Sequence, residues 1–363
     1  VPVFGIFGKC LRREFVSPGL LIRYENIDFM GKNITVGSLF ITTGDEDYIL
    51  QTVIDGTRTD HVVTFASGET AGASLSGLTI INGYASGTAP AHHGGGIFCK
   101  NSSPTLTHLK VSGNEAAEQG GGLYFEHCSP IIQDVNVTNN QARGGGGMRF
   151  SYGSPNLENV IVAGNSAATG GGGLMFYHAD AIVTNALVVD NIAYDQSVGD
   201  GGGGLYFDGC NPTFVNVTVV GNLTTGHGGG LHVSYASNPT LVNTIVWGNT
   251  PEQIYFDTDW PGEAVTIEYS DIQGGEAGIV TNGQGPVYWG DGNIDVSPRF
   301  VDVSLGNYHL ANDSPCIKAG KAAGAPLTDL EGIHRPSPSG SNPDIGAYEN
   351  PIAMQVYLPI VLR

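Results

Sequence analysis

Apolar residues along this chain alternate with polar ones at a spacing of two, and the pattern starts again about every 26 residues. After the glycine triplet Gly94-Gly95-Gly96 the apolar positions are Ile97 and Cys99. The matching positions downstream hold Leu123 and Phe125, Met148 and Phe150, Leu174 and Phe176, Leu205 and Phe207, and Leu231 and Val233. The triplets begin at residues 94, 120, 145, 171, 202 and 228, spaced 26, 25, 26, 31 and 26 apart. Pro104, Pro130, Pro155, Pro212 and Pro239 follow five of them, with Ala181 standing in the fourth copy. Apolar residues then appear two, five and seven positions later, as in Leu106, Leu109 and Val111. Such alternation predicts strands with one inward face, and glycine this dense disfavours helix. Each copy closes on an asparagine: Asn114, Asn140, Asn165, Asn191, Asn222 and Asn249. Six copies at this period predict a solenoid of about three short strands per coil, a parallel β-helix.

The corner residues fit that architecture. Glycine accepts φ > 0 and lets neighbouring coils approach. Asparagine tolerates the left-handed region, and stacked on successive coils it can form an amide ladder. A phosphate-cradling role for the triplets is disfavoured because no helix follows them.

The repeat, with its glycine triplets, Ser-Pro turns and corner asparagines, resembles the glycine-rich right-handed parallel β-helix proteins of bacterial surfaces and secretions, which share the pectate-lyase-like fold. The resemblance extends upstream through VSPG at 16–19, ENIDFMGKNITV at 25–36, TVIDG at 52–56 and LSGLTIINGYA at 75–85. Downstream, GNIDVSPRFVD, YHLANDSPCIKAG, TDLEG and the closing DIGAYE at 344–349 resemble a C-terminal module of bacterial surface proteins with varied anchors. It implies an all-β fold with an N-terminal cap and a turn-rich wrapping module. It is weak for function, since lyases, hydrolases, adhesins and structural proteins share the fold.

The chain divides accordingly. Residues 1–19 lack the coil pattern and suit a cap. Residues 20–272 form the β-helix, with regular coils over 94–249 and irregular early strands near Ile22–Tyr24, Asn33–Val36, Phe40–Thr42, Val62–Phe65 and Leu78–Ile81. Residues 273–350 form the C-terminal module, and 351–363 an apolar tail. The strand after the proline is apolar on its outward side too, at Ile161, Leu187, Val189, Ile245 and Trp247. Such a strand is covered on both faces, either by the C-terminal module or by a second copy. Tyr357 and Leu358 in the tail suit the same two uses.

Composition narrows the partners. With 34 Asp and Glu against 15 Lys and Arg, the formal charge is −19, which argues against nucleic acid and makes a polyuronate an awkward ligand without calcium. No apolar run reaches 18 residues, so no membrane span is predicted. Val1 begins no leader, which predicts a processed, secreted start. Of the five cysteines, Cys99, Cys128 and Cys210 read as small core residues.

Two insertions, 83–93 and 192–201, fall at the same corner and suit the two walls of a groove. The first carries His92 and His93, the second Tyr194, Asp195 and Asp200. Outward positions on the triplet strands hold Tyr124, Tyr206 and His232 in one column and Tyr177 in the next. With Trp247 these form the candidate carbohydrate or partner contact. Glu126, Arg149 and Asp208 are the candidate catalytic residues, yet Glu126 and Arg149 also read as a surface ion pair. Asp291, Asn293 and Asp295 alternate oxygen ligands as calcium loops do, without the closing glutamate. No lyase or glycosidase motif can be carried over residue by residue. The sequence therefore predicts a non-catalytic extracellular or cell-surface protein, structural or adhesive, whose partner is itself in filaments or arrays, or a surface polysaccharide. A secreted polysaccharide lyase or glycoside hydrolase is the alternative.

Overall fold

The computed structural model describes residues 4–7, 10–13, 20–88, 91–194 and 201–351. The coils close as the spacing requires, and their strands stack in parallel into three sheets. Strands after the triplets form a sheet of 9, strands after the prolines a sheet of 14, and two-residue strands after the asparagines a sheet of 6. Ile97, Leu123, Met148, Leu174, Leu205, Leu231 and Ile254 lie over one another in register. Their side chains are fully buried, as are the rings of Phe125, Phe150, Phe176 and Phe207. Those rings stack at 4.9, 5.4 and 5.8 Å.

The asparagine column is a ladder inside the wall. The Asn140 side chain donates to Asn165 Oδ1 and to the Val111 carbonyl, each at 3.0 Å, while the Asn140 backbone N–H reaches the same Asn165 oxygen. The arrangement repeats from Asn114 to Asn249, where Gln253 ends it. The triplets allow this close stacking. A Cβ at Gly146 would lie 2.3 Å from the Ser166 carbonyl oxygen, a contact no side chain tolerates.

A second column explains why the inward positions jump from two to five. His108, Asp134, Asn159, Asn185, Asn216 and Asn243 all adopt φ near +50°. The first five each bend an eight-residue strand, Asn243 separates two three-residue strands, and each adds one position to the alternation. Only residues that tolerate the left-handed region are cheap there.

Three features differ from the pattern reading. Phe40–Thr43 is a helical turn rather than a strand. The Thr42 and Thr43 hydroxyls bond back to the Leu39 carbonyl, and Gly44 closes the turn at φ 70°. Here local side-chain bonding outweighs β-branching. The coil ladder also continues past 272, through the strand Val287–Trp289. Residues 4–13 hold an antiparallel hairpin, Phe4–Phe7 with Cys10–Arg13. The stretch 16–19, like Tyr357 and Leu358, lies outside the described residues.

The outward apolar face of the long sheet is closed from within the chain. Tyr308, Leu310, Cys316, Ile345 and Ala347 pack on Leu187, Val189, Val220 and Ile245. Polar bonds fix the seam. Asn216 donates to the carbonyls of Asp344 and Gly346, and the Ala347 N–H donates to Thr218 Oγ1. Leu187, Val189 and Ile245 are therefore sealed, Ile161 and Trp247 are half-covered against the same cluster, and this face is not open to a second copy.

Candidate functional site

The first outward column of the triplet sheet is not a surface. Phe98, Tyr124, Tyr206, His232 and Tyr255 are all buried. Described residues that precede the triplet strands lie over them. His61 stacks on Phe98 at 4.7 Å, His93 on Tyr124 at 4.5 Å, and His227 on Tyr255 at 4.3 Å. Where the covering residue is glycine, the backbone itself is the lid: a Cβ on Gly170 would meet the Tyr206 ring at 3.0 Å. Tyr124, Tyr206 and His232, expected as contact residues, are thus internal. His93 turns inward instead of standing as a groove wall; burial first, then the charges around it, lowers its pKa to about 4. Residues 195–200 of the second insertion lie outside the described residues.

The two carboxylate candidates, Glu126 and Asp208, do not come together. Glu126 Oε1 pairs with Lys100 Nζ at 3.0 Å rather than with Arg149. Arg149 donates to Ser151 Oγ and to Gln119 Oε1, and its guanidinium lies 5.4 Å from the centre of the Tyr177 ring. Glu126 and Asp208 share one column, three coils apart in register. At about 4.8 Å per coil that is roughly 14 Å. Asn293 Oδ1 accepts the Ser270 N–H and Asp295 Oδ1 the Gly274 N–H, so both of those oxygens bond to the backbone of the preceding coil. Among the described residues no three His, Cys, Asp or Glu side chains group as metal ligands.

What the structure does expose is the corner that follows the triplet strands. His127, Tyr152, His178 and Tyr235 each hold φ near +50–60° and so turn their rings outward. His127 and Tyr152 stack at 4.7 Å, and Tyr152 and His178 at 5.5 Å. Stacked rings cover one another's faces and present edges to water. The stack breaks at Gly209, which takes the same corner position without a side chain. His178 leans over it, and a Cβ there would fall 2.4 Å from the imidazole Cε1. Beyond the break Tyr235 meets His178 edge-on at 84°, and Trp260 meets Tyr235 at 67°. Tyr177 likewise stands at 89° to Tyr152. Tyr235 is 43% exposed and Trp260 52% exposed. Tyr177, Tyr235 and Trp260 thus meet their neighbouring rings edge-to-face rather than stacked, with the Arg149 guanidinium lying over Tyr177.

Carboxylates surround these rings. Asp208 and Asp257 occupy the next column, with Ser234 between them. Burial raises the pKa of Asp257, but His232, 3.8 Å away, and the Ser234 hydroxyl at 2.9 Å outweigh it and hold the group at about 2. Glu263 has no exposed surface, and its Oε2 has no hydrogen-bond partner. Burial moves its pKa upward, yet the group is closed to any substrate. The sequence reading missed Trp260, Asp257 and Glu263 because the repeat loses its triplet there. The signal was Ile254–Phe256, which stands in register as a further triplet strand without the glycines.

A cleft of about 360 Å³ lies between the short helix Asp47–Gln51 and the C-terminal segment, bordered by Glu46, His108, Lys110, Asp134 and Glu331. Its His108–Asp134 pair, 3.6 Å apart, belongs to the bend column and is half exposed.

Residues 95–223 match the model of the right handed beta helix region family. The chain is a right-handed parallel β-helix. It is similar to the crystal structure of pectate lyase Pel9A at 14% identity, over 82% of this chain and 87% of that one, with a TM-score of 0.49. No curated protein matches the chain in sequence. Among the described residues no helix is long and apolar enough to cross a membrane.

Proposed function

We propose that this protein is a non-catalytic, adhesive β-helix of the cell exterior that contacts a neutral linear glycan through Tyr177, Tyr235 and Trp260. The supporting observation is the break in the aromatic stack at Gly209. It leaves Tyr235 and Trp260 exposed and without a face-to-face ring partner, and exposed aromatic rings are what a sugar ring packs against. Asp208 and Asp257 in the adjoining column and the formal charge of −19 disfavour polyuronates and sulfated chains. An exterior location fits the sequence resemblance to secreted and surface β-helices.

Adhesion is favoured over self-assembly because the apolar face that would have joined copies is occupied by residues 308–348. The lyase or hydrolase alternative loses its residues: Glu126 and Asp208 are about 14 Å apart by coil rise, beyond either carboxylate spacing that glycosidases use.

Co-sedimentation with insoluble polysaccharides tests the proposal. Retention is expected on neutral glycans, weakened roughly tenfold in Trp260→Ala, with no release of reducing or unsaturated ends. Retention only on acidic glycans, or steady release of such ends, contradicts it.

A further inference from the structure

We infer that Cys99 and Cys128 are the two halves of a disulfide that ties adjacent coils together. Their sulfurs stand 2.9 Å apart, well inside the roughly 3.5–4.0 Å at which even non-bonded carbon atoms rest. The backbone already brings them together. Cys99 is directly over Phe125 in the triplet sheet, and Cys128 is the inward residue three positions later, at the corner that ends the neighbouring strand. Both side chains are essentially without exposure.

Among the described side chains, neither Cys210 nor Cys316 has a sulfur neighbour of this kind. Cys210 occupies the same corner as Cys128 further along the solenoid, and its sulfur meets the Phe176 carbonyl and the Ser237 hydroxyl. The Cys316 thiol donates to Asp271. Sulfur proximity is therefore specific to one pair and is not a consequence of the repeat.

The bond forms by thiol–disulfide exchange with an external disulfide, carried by a small thiol or by a protein. The Cys128 thiolate attacks that disulfide and releases one thiolate. The Cys99 thiolate then attacks Cys128 Sγ in the mixed disulfide and releases the second. Two thiol protons go to solvent, and the two electrons leave with the reduced external pair. With both sulfurs sealed in the finished coil, exchange must take place while the coils are still closing.

The bridge has a structural role at both of its ends. Ser102, three residues past Cys99, donates to the buried Glu69 at 2.7 Å, so the early coils are gathered at this corner. His127, the first ring of the outer stack, immediately precedes Cys128. A disulfide here also assigns the chain to an oxidising compartment, independently of any glycan.

Peptide mapping of the unmodified chain tests the inference. The protein is produced in an oxidising compartment, unfolded in the presence of iodoacetamide and digested with trypsin without reduction. The expected product is residues 59–100 linked to residues 111–143, which separates into its two halves on reduction. Recovery of both peptides as separate carbamidomethylated species before reduction overturns the inference, as does a bridge joining either cysteine to a different partner. No substitution is needed, so a failure to fold cannot mimic either result.

Discussion

At the scale of single residues, the structure depends on polar groups inside the wall. The Asn165 side chain donates to the Val137 carbonyl and to Asn191 Oδ1, and its oxygen accepts both N–H groups of Asn140. Asn165→Ala leaves buried groups unpaired on two coils and should cost about 2–4 kcal/mol, measured by urea unfolding. Asp271 carries a different signature. Burial, opposed only in part by the Cys316 thiol and the Val296 N–H, raises its pKa to about 6. A raised carboxyl contributes stability that is complete below its unfolded value near 3.8 and is lost as pH rises through about 6. Unfolding free energy should therefore fall by roughly 2–3 kcal/mol between pH 4 and pH 7 from this group. Asp271→Asn should flatten that part of the profile. The inner asparagine column was legible as a ladder from its spacing alone. The bend column was not, because its residues vary from His108 to Asn243 and only the shared φ unites them.

At the scale of elements, the long sheet and the segment that covers it form one cooperative seam. Ile345 is fully buried between them, and Ile345→Ala should cost about 2–5 kcal/mol. Limited proteolysis should then release fragments from the C-terminal segment first, while the coils resist. The sequence showed that this sheet is apolar on both faces and so must be covered. It could not say by what, since a wrapping segment and a second copy satisfy the same alternation. Exposure on the triplet sheet was the harder element to read. Outward alternation places Tyr124, Tyr206 and His232 at a surface, whereas a second layer of chain lies over them. Residues such as His61, His93 and His227 carry that layer, and they fall in segments with no strand periodicity. The helical turn at Phe40–Thr43 escaped for a similar reason, its hydroxyls acting on the backbone and not on a sheet face.

At the scale of the whole molecule, the β-helix is a rigid rod whose outer corner carries rings from coil to coil. From His127 to Trp260 the rings span five coil rises, roughly 24 Å, and beyond the Gly209 break they meet edge-to-face rather than stacked. That geometry predicts a ligand lying along the solenoid axis and gripped mainly at one end. Of the three tryptophans, Trp260 is the one with more than half its surface exposed, which makes its emission the natural probe. The most direct measurement is a tryptophan fluorescence titration with neutral linear oligosaccharides of increasing length. A blue shift is expected, with affinity that rises with length until the span of the rings is filled, and the shift should vanish in Trp260→Phe. Emission that stays unmoved by every neutral oligosaccharide, or that shifts equally in Trp260→Phe, would contradict the proposed role of this corner.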